Sequence, residues 1–151
     1  MMPVRIPRRR LEHWLQVLKE LSDTAQRLAE RLGKVSVLLH GSYARGDFNL
    51  WSDVDIIIVS DAFNNVRFLD RYELVKGLLP DKAEPILWTP REAEILLQKP
   101  AWRHALRRGV VVLRDDYSLT KLLRRVGAKI IEHEELVKKI QKILSQTTLI
   151  S

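Results

Sequence analysis

The chain has 151 residues, a formal charge of +7, 46% hydrophobic and 30% charged residues, and no cysteine. That length suits one compact domain, and the balance of apolar and charged residues excludes a disordered chain. Disulfides, thiolate chemistry and cysteine-zinc sites are excluded outright, and no apolar run approaches the ~20 residues that cross a bilayer.

The opening M-M-P-V-R-I-P-R-R-R lacks the apolar stretch and cleavage site of a secretory leader. A cytoplasmic location is therefore the default expectation. Basic residues are densest at Arg8 to Arg10, Arg107–Arg108, Arg124–Arg125 and Lys138–Lys139. Such a surface attracts phosphates, although a solvated, ion-paired surface accounts for the same residues.

From Leu11 to Leu32 the apolar residues Leu11, Trp14, Leu15, Leu18, Leu21, Ala25, Leu28 and Leu32 recur every three or four positions. This predicts one long amphipathic helix closed by Gly33. Val35 to Leu39 and Val54 to Val59 then read as strands, with a weaker third at Pro85 to Trp88 and a fourth at Val110 to Leu113. A helix is expected around Arg71 to Leu79. Another is opened by T-P-R-E, where Thr89 caps, Pro90 takes the first position and Glu92 completes a capping box. Pro100 permits a further helix to Arg108, closed by Gly109. From Leu119 onward the chain reads as helical, with a stripe from Leu123 to Leu144 weakened at Gly127. The fold class expected is α/β (α+β): a small mixed sheet of about four strands flanked by helices.

The chemistry concentrates in L-L-H-G-S-Y-A-R-G-D-F-N-L-W-S-D-V-D-I-I-I-V. Asp53 and Asp55 are two apart at a strand start, so both side chains leave one face, about 7 Å apart along the backbone. Carboxylates so placed are costly without a cation between them, and magnesium is a hard ion that prefers carboxylate and phosphate oxygen. Upstream, a strand arrives at Gly41-Ser42. Glycine there lets a ligand approach the backbone, a short helix after Ser42 aims N–H groups at an anion, and the Ser42 hydroxyl adds a donor. Gly46 ends that helix. A phosphate-binding turn facing a carboxylate pair is what phosphoryl transfer needs. Either part alone is weak evidence, since G-S is a common turn and D-x-D a common strand end.

The stretch G-S-Y-A-R-G-D-F-N-L-W-S-D-V-D resembles the signature of the DNA polymerase β-type nucleotidyltransferase superfamily, and most closely its minimal nucleotidyltransferases. The resemblance implies a nucleotidyltransferase fold in a single domain. Residues 1–33 would form the N-terminal helix, 34–117 the catalytic core and 118–151 a C-terminal helical extension. It also implies that three carboxylates hold two magnesium ions, and that a nucleoside monophosphate passes from a triphosphate such as ATP to a hydroxyl, with release of pyrophosphate. Carried over by position, Gly41 and Ser42 would contact the triphosphate, and Asp53 and Asp55 would ligate metal. Glu84, in K-A-E-P-I-L-W, matches the third carboxylate, with Asp81 as the substitute. Arg45 would reach a phosphate or pair with Asp47.

Other residues carry less. Trp51 could stack on a base or pack on the sheet edge, His40 could touch the active site but more often such a residue packs at its strand end, and His133 reads as a partly buried structural or interface histidine. Resemblance also implies an alternative: an antitoxin-type binding module of a toxin–antitoxin pair, docked through its terminal helices to a HEPN-type helical protein or a second copy, with weak or no catalysis. A nucleic-acid binder without chemistry is disfavoured because it leaves the aspartate pair unexplained.

Overall fold

The computed structural model describes residues 6–150, and of 147–150 the backbone only. The first five residues of the stretch read above as leader-free lie outside the described residues.

Helix α1 spans Arg8–Leu32 and ends at Gly33, whose φ of 79° is open to glycine and strained for other residues. Its stripe, from Leu11 through Trp14, Leu18 and Leu21 to Leu28, is buried against the sheet. Burial of each such leucine is worth roughly 1.5–3 kcal/mol, which holds α1 in place without any side-chain cap at its start.

Five strands form one mixed sheet: β1 Ser36–His40, β2 Val54–Val59, β3 Ala83–Trp88, β4 Val110–Asp115 and β5 Ile130–Glu132. Their spatial order is β3-β2-β1-β4-β5. β1 is antiparallel to both β2 and β4, whereas β2–β3 and β4–β5 are parallel. Central strands buried on both faces explain the unbroken V-D-I-I-I-V run. One face, with Val37, Leu39, Ile56 and Ile58, packs under α1. The other, with Leu38, Ile57, Val59 and Trp88, is covered by α3 (Pro90–Leu96), α4 (Pro100–Arg107) and α5 (Leu119–Arg125).

The expected capping box is present: Thr89 Oγ1 accepts from Glu92 N–H at 3.1 Å, and Glu92 Oε1 accepts from Thr89 N–H at 2.9 Å. Two expectations need correction. The helix expected around Arg71 to Leu79 is instead a 3₁₀ segment, Phe68–Leu74. Gly77, at φ 84°, leaves the chain no room to continue helically toward Pro80. Arg71 is pulled inward at the same place, donating to Leu87 O at 2.9 Å and to Glu92 Oε1 at 2.6 Å. The single C-terminal stripe is also divided, and the piece between its two helices adds a fifth strand to the about four expected. α5 closes at Gly127, φ 81°, with Ala128 N–H donating to Leu123 O at 2.9 Å. The chain then uses the open edge of β4 to form β5, and α6 (His133–Ile150) follows. α6 packs beside α1 through Leu136 and Ile140, and His133 Nε2 lies 2.7 Å from Leu18 O, the structural role expected of it.

No helix among the described residues is long and apolar enough to cross a membrane.

Candidate active site

One edge of the sheet gathers the C-terminal end of β1 with the N-terminal ends of β2 and β3. Register places His40 opposite Asp55, and Asp55 beside Glu84. Neighbours in register share a face, so His40, Asp55 and Glu84 form a row across three strands. Their face is that of Leu38, Ile57 and Ile86. Asp53 is exposed and lies just before β2, two residues from Asp55.

The electrostatics of Asp55 report this gathering. Its carboxyl is pushed above the usual carboxylate range, first by burial and then by the charges of Asp53 and Glu84, with Arg45 opposing them. The carboxylate lies directly over Gly41, where a Cβ would overlap an Asp55 oxygen, and Gly41 has φ 73°. The sequence suggested glycine here for the approach of a ligand. In the structure the space above it is taken by the aspartate itself.

Helix α2 (Ser42–Arg45) is one turn long and ends at Gly46 in the left-handed region. Ala44 N–H returns to Gly41 O at 3.0 Å, while the N–H groups of Ser42 and Tyr43 belong to the first turn, which has no partners within the helix. α1 braces this turn. Trp14 Nε1 donates to Tyr43 O at 2.7 Å, His13 Nε2 lies 2.8 Å from Tyr43 Oη, and a Cβ on Gly46 would strike the Trp14 ring. Tyr43 stacks on Phe48 with ring centroids 4.3 Å apart.

Arg45 is half-buried, with its Nε 3.1 Å from Asp47 Oδ2. Arg108, at the end of α4, approaches the same oxygen at 4.0 Å, a cation at the site's margin that the sequence marked only as part of a basic pair. His40 is neutral at physiological pH, its pKa lowered to about 4 by burial and then by Arg45. Its Nε2 is buried without a hydrogen-bond partner, and its ring meets Trp102 edge-on with centroids 5.1 Å apart. Glu84 stands beside Asp55 in register, whereas Asp81 lies in the turn before β3.

Among the described residues, no three His, Asp or Glu side chains already surround a single point as a metal-ligand set. Asp53, Asp55 and Glu84 nevertheless offer carboxylate oxygens, the type magnesium takes, and after burial it is the charges of Asp53 and Glu84 that raise the Asp55 carboxyl. The chemistry of these donors, carboxylate oxygen throughout, is of the kind magnesium takes.

The profile of the nucleotidyltransferase domain matches residues 19–108, more than half of the chain. A solved structure from Sulfolobus solfataricus, provisionally assigned as a nucleotidyltransferase, is 22% identical with a TM-score of 0.53 over 61% of this chain and 83% of that one. At this identity the likeness concerns the fold alone. A toxin–antitoxin structure with AMP-PNP is 18% identical with a TM-score of 0.46, over 85% of this chain and 94% of that one. No curated protein matches. With its mixed sheet, its glycine-serine turn and its carboxylate edge described, the chain belongs to the nucleotidyltransferase domain family.

Proposed function

We propose that this edge is a magnesium-dependent site that transfers a nucleoside monophosphate from a nucleoside triphosphate, ATP first among them, to a hydroxyl acceptor. The observation that carries the reading is the Asp55 carboxylate, set between Glu84 on the next strand and Gly41 in the turn. The Ser42 hydroxyl and the first-turn N–H groups orient the triphosphate, and Arg45 and Arg108 add positive charge beside it. Asp53, Asp55 and Glu84 would hold two magnesium ions, whose chemistry is to offset phosphate charge and favour the ionised acceptor oxygen. In the transfer, the acceptor oxygen attacks the α-phosphorus. The α–β anhydride bond breaks, pyrophosphate leaves with the electron pair, and the acceptor's proton passes to the Glu84 carboxylate.

A second reading is a binding module with weak or no catalysis, paired with a HEPN-type helical protein or a second copy. Thermal shift and transfer of label from α-³²P-ATP separate the two. Stabilisation by ATP that needs magnesium, with label appearing on an acceptor, supports the enzyme. A ligand in hundredfold excess over its Kd stabilises by ~2.7 kcal/mol. Equal shifts in magnesium and in chelator, with no label transferred, support the binding module.

A further inference from the structure

Trp51 is 85% exposed, whereas Trp14 and Trp88 are buried to 1% and 4%. So large an apolar ring is usually covered. Its backbone is nonetheless held firmly: Trp51 N–H donates to Asn49 Oδ1 at 2.8 Å, Asn49 N–H to Ser52 Oγ at 2.9 Å, and Ser52 N–H to Asn49 O at 3.1 Å. Lys82 crosses from the start of β3, donating to Leu50 O at 2.5 Å with its ammonium 5.6 Å from the Trp51 ring centroid. Val54 N–H to Lys82 O, 2.8 Å, locks the two strand starts together. Trp51 is thus two residues from Asp53, and Lys82 two from Glu84.

We propose that Trp51 and Lys82 form a platform for a nucleobase, resting on the reading of the carboxylate edge given above. A fixed, exposed indole offers a π-face to any base, and the ammonium beside it suits the phosphate that a base carries. The platform stands on the β3 side of the carboxylates, across them from the Gly41–Ser42 turn at the end of β1. A base reaches it from either of two sources, the triphosphate donor or a single-stranded oligonucleotide acting as acceptor.

The test uses the full chain and its Trp51→Ala and Trp51→Phe variants. Three probes are measured with magnesium: inorganic tripolyphosphate, ATP and a ten-residue oligoadenylate. Trp51→Ala is expected to leave tripolyphosphate affinity unchanged and to weaken ATP or oligoadenylate ~5- to 150-fold, with most of the loss restored by Trp51→Phe. In the wild type, the bound probe should shield tryptophan fluorescence from iodide. Loss for ATP alone assigns the donor's base, and loss for oligoadenylate alone assigns the acceptor's. Unchanged affinity for both, or a wild type that binds neither, overturns the platform. A change of oligomeric state in Trp51→Ala on sedimentation also overturns it, because it places the ring in a protein interface. A wild type that ignores tripolyphosphate while Trp51→Ala still weakens oligoadenylate overturns the phosphate-turn reading and supports the platform.

Discussion

The Asp55 carboxylate occupies the space where any side chain at position 41 would begin, so Gly41 is required by its neighbour as well as by its own φ of 73°. Gly33 has a similar φ of 79° with open space around it. Alanine at either position should cost ~1–3 kcal/mol of stability through backbone strain. Only Gly41→Ala should also displace Asp55 and abolish magnesium-dependent nucleotide binding, as read by titration calorimetry. Equal nucleotide affinity in the two variants would separate Gly41 from the site.

Glu84→Gln preserves size and a carbonyl ligand but removes the charge that accepts the acceptor's proton. Transfer of labelled nucleotide should fall at least ~100-fold, while nucleotide binding falls much less. Asp55→Asn should damage both. Full activity in Glu84→Gln would move the role to Asp81, in the turn before β3.

Without metal, Asp55 works against the fold. Burial and the charges of Asp53 and Glu84 raise its carboxyl above the model-peptide value of 3.8. Its ionised form is therefore disfavoured by folding at every pH above that raised value, and the penalty fades as pH falls toward 3.8. Asp55→Asn should raise Tm in chelator at neutral pH, with the gain shrinking in acid. A lower Tm in the variant would mean that the carboxylate is already compensated.

The linkage of His40 has the opposite sign. Its folded pKa of about 4 lies below the ordinary 6.5, so the unfolded chain binds the proton first. Stability should drop as pH falls from 6.5 to about 4, by up to ~3 kcal/mol. His40→Gln should flatten that window in urea unfolding curves measured at successive pH values. An unaltered pH dependence would place the imidazole in contact with water.

Local patterns carried much of the fold and of the candidate site. β2 has the bounds that its apolar run implies, the T-P-R-E capping box is present, and the G-S turn is followed by one helical turn ending at Gly46. What stayed hidden depends on pairing across distance. β5 is three residues long and forms only because β4 has a free edge, so a helical stripe counted through Gly127 absorbed it. The tie from Arg71 to Glu92 joins a 3₁₀ segment to a helix cap, and no spacing rule relates them. The row of His40, Asp55 and Glu84 required knowing that β3 lies parallel beside β2. Sequence order alone does not reveal that.

The strand that leads into the glycine–serine turn is also the sheet's central strand, and its second neighbour follows β2 and β3 in the sequence: Ser36 pairs with Asp115. A nascent polypeptide that has emerged only as far as Trp88 already contains Gly41, Asp53, Asp55 and Glu84. Yet β1 still has one bare edge, and the α6 residues that share the core with α1 are unsynthesised. Such non-local pairings form slowly because loop closure must precede any gain from contact. The alignment of the four residues therefore leans on β4 and α6, which follow all of them in the chain, and a fragment ending at Trp88 would carry the motif without that support.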